Sequence, residues 1–178
     1  FNEWVKKNTF YLVTGSDLPK LQEQMCFYDI EAEGIFTCCG NEFWKPDPSI
    51  VNVSAEQVYC KGFKPPETLM TYLGEQLRFS DYPVRAGNHI EDRGTLLNFS
   101  IVGRDCSLQQ RKDYSEYDNQ VGERETIAKY IREQWRDLDA VIGGQISIDI
   151  YPIGSDKSQI LDIIEQERLV KPDKIIFI

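Results

Sequence analysis

The stretch from Gly143 to Gly154 constrains this chain most. Ile146, Ile148 and Ile150 alternate with Ser147 and Asp149, after Gly143-Gly144 and before Gly154. A side-chain period of two belongs to a strand with one face buried. Ser147 and Asp149 then share the face opposite the isoleucines. Phe10-Tyr11-Leu12-Val13 is short and apolar without alternation, which reads as a buried parallel-type strand. Thr14-Gly15-Ser16-Asp17 follows as a turn holding two helix caps, and residues 18–25 have helical spacing with Pro19 in the first turn. Short strands are expected at 34–37 and 42–44, joined by a turn at Cys38-Cys39-Gly40-Asn41.

Lys45-Pro46-Asp47-Pro48 breaks this pattern, and a second section begins near Tyr59. Pro65-Pro66 opens a helix to about residue 79. Strands are expected over 82–90 and 94–102. An amphipathic helix over 126–135 has Ile127, Tyr130, Ile131 and Trp135 on one stripe. Ser155-Asp156 caps a helix over 157–168, and residues 174–178 read as a final apolar strand. The order gives α/β units at both ends with an α+β insertion between them.

The formal net charge of −9 argues against a non-specific nucleic-acid binder, which needs a basic face. A phosphate ester would meet a repelling field unless arginines cluster locally. Cys26, Cys38, Cys39, Cys60 and Cys106 are odd in number and lack C-x-x-C spacing, so a reducing setting is expected rather than a disulfide framework. No signal-peptide pattern opens the sequence and no apolar run approaches a membrane span, so the expectation is a cytoplasmic protein without a membrane partner.

Four constellations carry possible chemistry. Arg93, Arg104 and Arg111 flank the apolar strand around residue 99, and a guanidinium fork suits phosphate oxygens. By spacing alone, three surface arginines in ordinary ion pairs are the plainer reading. Ser147 and Asp149 suit sugar hydroxyls, or a solvated strand face. Lys157 stands in an expected first helical turn, where it opposes the macrodipole and gains from a neighbouring anion. Thr14 and Ser16 stand where a strand feeds a helix, a place suited to phosphate and equally to plain capping. His89 is the only histidine and no nucleophile motif accompanies it, so packing or hydrogen bonding is its expected job.

The order of these signals carries a resemblance. Leu96-Leu97-Asn98-Phe99-Ser100-Ile101-Val102-Gly103-Arg104, then Cys106-Ser107 and Arg111, resembles the substrate-binding cap of α-phosphomannomutases. So does Gly143-Gly144-Gln145-Ile146-Ser147-Ile148-Asp149 with Tyr151-Pro152 and Gly154-Ser155-Asp156-Lys157. Val13-Thr14-Gly15-Ser16-Asp17 with Leu21-Gln22-Glu23-Gln24 is similar to a core segment of the same family.

The resemblance implies an α/β fold: a Rossmann-like haloacid-dehalogenase core, residues 1–60 and 155–178, interrupted by an α+β cap, residues 61–154. It implies interconversion of mannose 6-phosphate and mannose 1-phosphate through an aspartyl-phosphate, with Mg2+ and a bisphosphorylated hexose activator. Arg93, Arg104 and Arg111 would hold the distal phosphate, and Ser147 and Asp149 the sugar hydroxyls. Lys157 would steady the nucleophile, and Thr14 or Ser16 would hydrogen-bond the transferring group. A homodimer through the cap is also implied. The family's Asp-x-Asp nucleophile belongs before Phe1 and its acidic metal loop after Ile178, so the chain is expected to be a fragment or the ordered part of a longer protein. Asp137-Leu138-Asp139 has the nucleophile's spacing but no preceding buried strand, and is rejected. A sugar-phosphate phosphatase of the same superfamily and a non-catalytic binding or assembly protein are the competing expectations.

Overall fold

The computed structural model describes residues 2–5, 7–25, 32–46, 55–168 and 176. In chain order the elements are α1 (Asn2–Val5), β1 (Tyr11–Val13), α2 (Leu18–Met25), β2 (Gly34–Thr37), β3 (Glu42–Pro46) and β4 (Ala55–Cys60). There follow α3 (Glu67–Phe79), β5 (Ile90–Asp92), β6 (Leu97–Phe99), α4 (Leu108–Val121), α5 (Glu123–Gln134), β7 (Leu138–Gly143), β8 (Ser147–Pro152) and α6 (Gln159–Arg168). The fold is mixed α/β. It divides into two compact units, Phe1–Lys61 with Gly154–Ile178, and Gly62–Ile153.

The first unit is a sheet of order β1-β2-β3-β4, parallel between β1 and β2 and antiparallel thereafter. All four residues of β2 are buried. Ile35 packs on Leu18 and Leu21 of α2, while Phe36 packs on Phe43 and on Ile160 of α6. Successive strand side chains face opposite ways, so a strand covered on both sides needs apolar residues without alternation. The Asp17 carboxylate caps α2 by accepting from Lys20 N–H at 2.9 Å.

Three expectations change here. β1 is parallel but only partly buried, with Val13 37% exposed, because it pairs with β2 alone among the described residues. Lys45 and Pro46 close β3 instead of breaking the pattern, while Asp47 and Pro48 lie outside the described residues. α6 begins two residues later than expected, at Gln159. The expected strand over 174–178 lies outside the described residues, Ile176 apart.

The second unit is an antiparallel sheet of order β5-β6-β8-β7. Leu97, Phe99, Ile148 and Ile150 share a core with Leu69 and Leu73 of α3, Tyr114 of α4, and Ile127, Ala128 and Ile131 of α5. β6 is shorter than the strand expected over 94–102. The strand expected over 82–90 is absent, and regular pairing starts only at Ile90. The reason is local. The Arg85 guanidinium donates to the carbonyls of Leu77, Ser80, Tyr82 and Val84, so this segment closes the end of α3 instead of extending. α4 was not anticipated, since it is polar almost throughout. A capping box starts it, in which Ser107 Oγ accepts from Gln110 N–H and the Gln110 side chain accepts from Ser107 N–H.

Candidate functional site

Of the predicted residues of the second unit, Arg93, Arg104, Ser147 and Asp149 gather on the sheet face opposite its helices, and Arg111 does not. Glu91, Asn98, Asp149 and Val141 are direct partners across β5, β6, β8 and β7. Paired residues of an antiparallel sheet point to the same side. The row therefore carries an acid, an amide and an acid side by side. Arg93 Nη2 meets Glu91 Oε2 at 2.8 Å, and Arg104 Nε approaches the same oxygen at 3.6 Å. One carboxylate oxygen thus draws two guanidinium groups together. Arg111 stands on α4, half-buried, and has no hydrogen-bond or ion-pair partner among the described side chains. The structure unites Arg93 with Arg104 and leaves Arg111 unattached to that pair.

Ser147 and Asp149 share this face, but it is not a plain solvated one, since Ser147 is buried and Asp149 half-buried. Ser147 Oγ donates to Gly143 O at 2.7 Å, and Asp149 Oδ1 accepts from Asn98 Nδ2 at 2.5 Å. Gly143 makes room for both. A Cβ there would stand 2.7 Å from Asp149 Oδ2 and 3.1 Å from Ser147 Oγ. Behind the hairpin, Arg124 of α5 is 5% exposed and Asp118 of α4 is 7% exposed. Arg124 Nε donates to Asp118 Oδ2 at 2.8 Å, and its Nη1 donates to Gly144 O at 3.1 Å and Ser147 O at 3.4 Å. A buried ion pair adds little net stability, yet its directed bonds fix the turn that carries Ser147.

The loops that carry the predicted residues of the first unit are held by a turn instead, through backbone and side-chain hydrogen bonds. Cys38, Cys39 and Gly40 form a single 3-10 turn between β2 and β3, and both cysteines have positive φ, 49° and 60°. Cys38 N–H donates to Ser16 O and Cys39 N–H to Thr14 O, at 2.9 and 3.0 Å. From the other side, Gln159 Nε2 donates to Cys39 O and Asn41 Nδ2 to Ser155 O, at 3.1 and 3.2 Å. The turn thereby ties the Thr14–Ser16 loop to the start of α6. Thr14 Oγ1 accepts from Ser16 N–H at 3.1 Å, while the Ser16 hydroxyl has no partner among the described residues. Lys157 is exposed and precedes α6. Beside it the Asp156 carboxyl is held below its ordinary value by hydrogen bonds from the Ser158 hydroxyl and N–H.

Sequence reasoning overlooked Glu91, Asn98, Arg124 and Asp118. Register exposes the first two: Asn98 stands inside a quoted motif without a role, and Glu91 lies two residues before Arg93. The buried ion pair left no local signal. Asp139, of the rejected Asp137-Leu138-Asp139, lies on β7 and accepts from Ala140 N–H at 2.8 Å. His89 Nδ1 is 2.9 Å from Ser100 O, in keeping with a hydrogen-bonding role.

The model of the eukaryotic phosphomannomutase family matches residues 1–178. A phosphomannomutase of Nicotiana benthamiana is 32% identical, covering 89% of this chain and 63% of that protein. One of Encephalitozoon cuniculi is 35% identical, covering 87% of this chain and 61% of that protein. Among solved structures, a sucrose-phosphatase of Synechocystis aligns with 13% identity and a TM-score of 0.48, covering 92% of this chain and 59% of its own. This chain belongs to the eukaryotic phosphomannomutase family. It spans a little over three-fifths of the length of the relatives it matches.

Proposed function

We propose that this chain supplies the sugar-phosphate grip of a phosphomannomutase that interconverts mannose 6-phosphate and mannose 1-phosphate. One observation carries the reading. Two arginines drawn to Glu91 and a hydroxyl–carboxylate pair occupy one face of the β5-β6-β8-β7 sheet. Guanidinium groups bind phosphate oxygens through charge-assisted hydrogen bonds, and a carboxylate accepts from the hydroxyls of a sugar ring. In this reading residues 61–154 are the cap and residues 1–60 with 155–178 the core. Arg93, Arg104 and Arg111 tether the phosphate that is not reacting, while Ser147 and Asp149 orient the sugar.

The aspartyl-phosphate of the whole protein passes its phosphoryl group to the free hydroxyl of the hexose monophosphate. The bisphosphorylated hexose so formed returns its other phosphoryl group to the aspartate carboxylate and leaves as the isomeric monophosphate. Ser16 donates its unengaged hydroxyl to the transferring phosphoryl group, and Thr14 shapes the loop by accepting from Ser16 N–H. Lys157 offsets negative charge beside the nucleophile. Mg2+ would supply further neutralisation of the transferring charge. Among the described residues no group of three His, Cys, Asp or Glu side chains could hold a metal, so no described residue is assigned to it. The same reading includes a homodimer through the cap and a cytoplasmic place in mannose metabolism leading to GDP-mannose. Among the described residues no helix is long and apolar enough to cross a membrane.

The test is isomerisation by the whole protein, followed with mannose 1-phosphate. Turnover that depends on a bisphosphorylated hexose is expected. Steady release of inorganic phosphate would make it a phosphatase, and no reaction on a binding-competent protein would make it non-catalytic. Arg104→Ala is expected to weaken mannose 1-phosphate binding by about 1–3 kcal/mol through loss of a charge-assisted contact. Unchanged affinity by calorimetry would remove Arg104 from the grip.

A further inference from the structure

Asn98 is unusual for the middle of a strand. It sits between Leu97 and Phe99, both fully buried, and is itself 3% exposed. Asparagine is depleted in strands, and a buried amide must find partners for both ends. Only one end does. Nδ2 donates to Asp149 Oδ1 at 2.5 Å, while Oδ1 has no partner among the described residues. Donation to a carboxylate fixes which end of the amide is which, because an oxygen turned toward Asp149 would face another acceptor. A buried acceptor left unpaired costs stability, and an apolar side chain of similar shape would avoid that cost. The compensation lies at Asp149, whose Oδ2 stands over the missing side chain of Gly143 and accepts from no described residue.

We propose that Asn98 is a positioning residue that holds the Asp149 carboxylate by one oxygen and leaves the other aimed at a hydroxyl of the bound hexose phosphate. The inference rests on the functional reading above, and names what sets the sugar-discriminating half of the grip. Asn98 acts through Asp149 and touches neither phosphate. It therefore governs recognition of the sugar, while Arg93 and Arg104, gathered by Glu91 on the neighbouring strand, govern recognition of the anion.

Two variants of the protein test this by calorimetry with mannose 1-phosphate and, separately, inorganic phosphate. Asn98→Leu removes the donor and the orphaned acceptor together. It is expected to weaken mannose 1-phosphate binding about tenfold, to leave phosphate affinity within about twofold, and to keep or raise Tm. Asn98→Asp keeps the shape but sets a carboxyl against Asp149, with Glu91, Arg93 and Arg104 as the other charges near this row. When protonated, the introduced carboxyl donates as Nδ2 does; when ionised, it repels. The affinity ratio of this variant to the wild type should approach one at acid pH and fall as pH rises. Taking the ratio cancels the titration of the ligand phosphate. Equal mannose 1-phosphate affinity in the wild type and Asn98→Leu overturns the proposal, as does a parallel loss of both ligands with Tm. Should Asn98→Leu fail to fold, a pH-independent ratio for Asn98→Asp overturns it alone. If the wild type binds phosphate but not mannose 1-phosphate, the functional reading fails first and takes this inference with it.

Discussion

The two units build their candidate sites by different means. In Gly62–Ile153, the chemistry stands on a sheet face, where Glu91, Asn98 and Asp149 are neighbours through strand register. In the other unit, Thr14, Ser16 and Lys157 stand on loops that are tied to the turn at Cys38–Asn41, by backbone hydrogen bonds on the Thr14–Ser16 side and by the Asn41 and Gln159 side chains on the α6 side. A sheet face sets side-chain direction at every second residue, so the arrangement survives changes in neighbouring loops. A loop site depends on the bonds that clamp it. Under the proposed function, the first kind would serve as a rigid grip and the second would bear on the transferring phosphoryl group.

This contrast predicts where each unit is vulnerable. Arg124→Met should cost the most, about 3–5 kcal/mol, by leaving Asp118 buried and unpaired. Adding Asp118→Leu should recover much of that loss, and urea unfolding of both variants decides it. A loss below about 1 kcal/mol for Arg124→Met would mean the hairpin does not depend on the pair. Gly143→Ala should then cost about 1–3 kcal/mol in mannose 1-phosphate binding, because the new methyl displaces the Asp149 carboxylate. Undiminished affinity would show that the space over Gly143 is not used.

In the loop-built unit the two hydroxyls should separate. Thr14→Val should cost about 1 kcal/mol of stability by taking the acceptor from Ser16 N–H. Ser16→Ala should leave Tm unchanged and lower turnover of the whole protein about tenfold. The reverse pattern would exchange their roles. The smallest effect belongs to Asp156. Its folded carboxyl titrates below the ordinary value, so its contribution is present above the unfolded value near 3.8 and is lost as pH falls through the depressed one. Tm of the wild type and Asp156→Asn should therefore converge in acid, and parallel curves would refute the cap.

Much of this was legible in the sequence wherever a local rule decides the outcome. The alternation through Ile146, Ile148 and Ile150 gave β8, the run at 34–37 gave a short strand whose burial on both faces only the structure shows, and Asp17 gave the start of α2. The Ser107–Gln110 capping box also stood in the sequence, although the polar helix it opens was overlooked. What escaped has a common cause. Segment 82–90 has strand composition, yet its backbone is bent around the Arg85 guanidinium, a contact that pattern does not encode.

The sequence alone determined which residues carry charge and hydroxyl, which segments alternate, and hence the family, because those properties belong to single residues and near neighbours. Tertiary structure decided that Glu91 draws Arg93 to Arg104, that Asn98 binds Asp149, and that a turn of two cysteines joins Thr14 to Gln159. These partners lie up to 120 positions apart in the chain, the separation of Cys39 from Gln159. Only strand pairing and close packing, which act through space rather than along the backbone, bring such groups within hydrogen-bond reach.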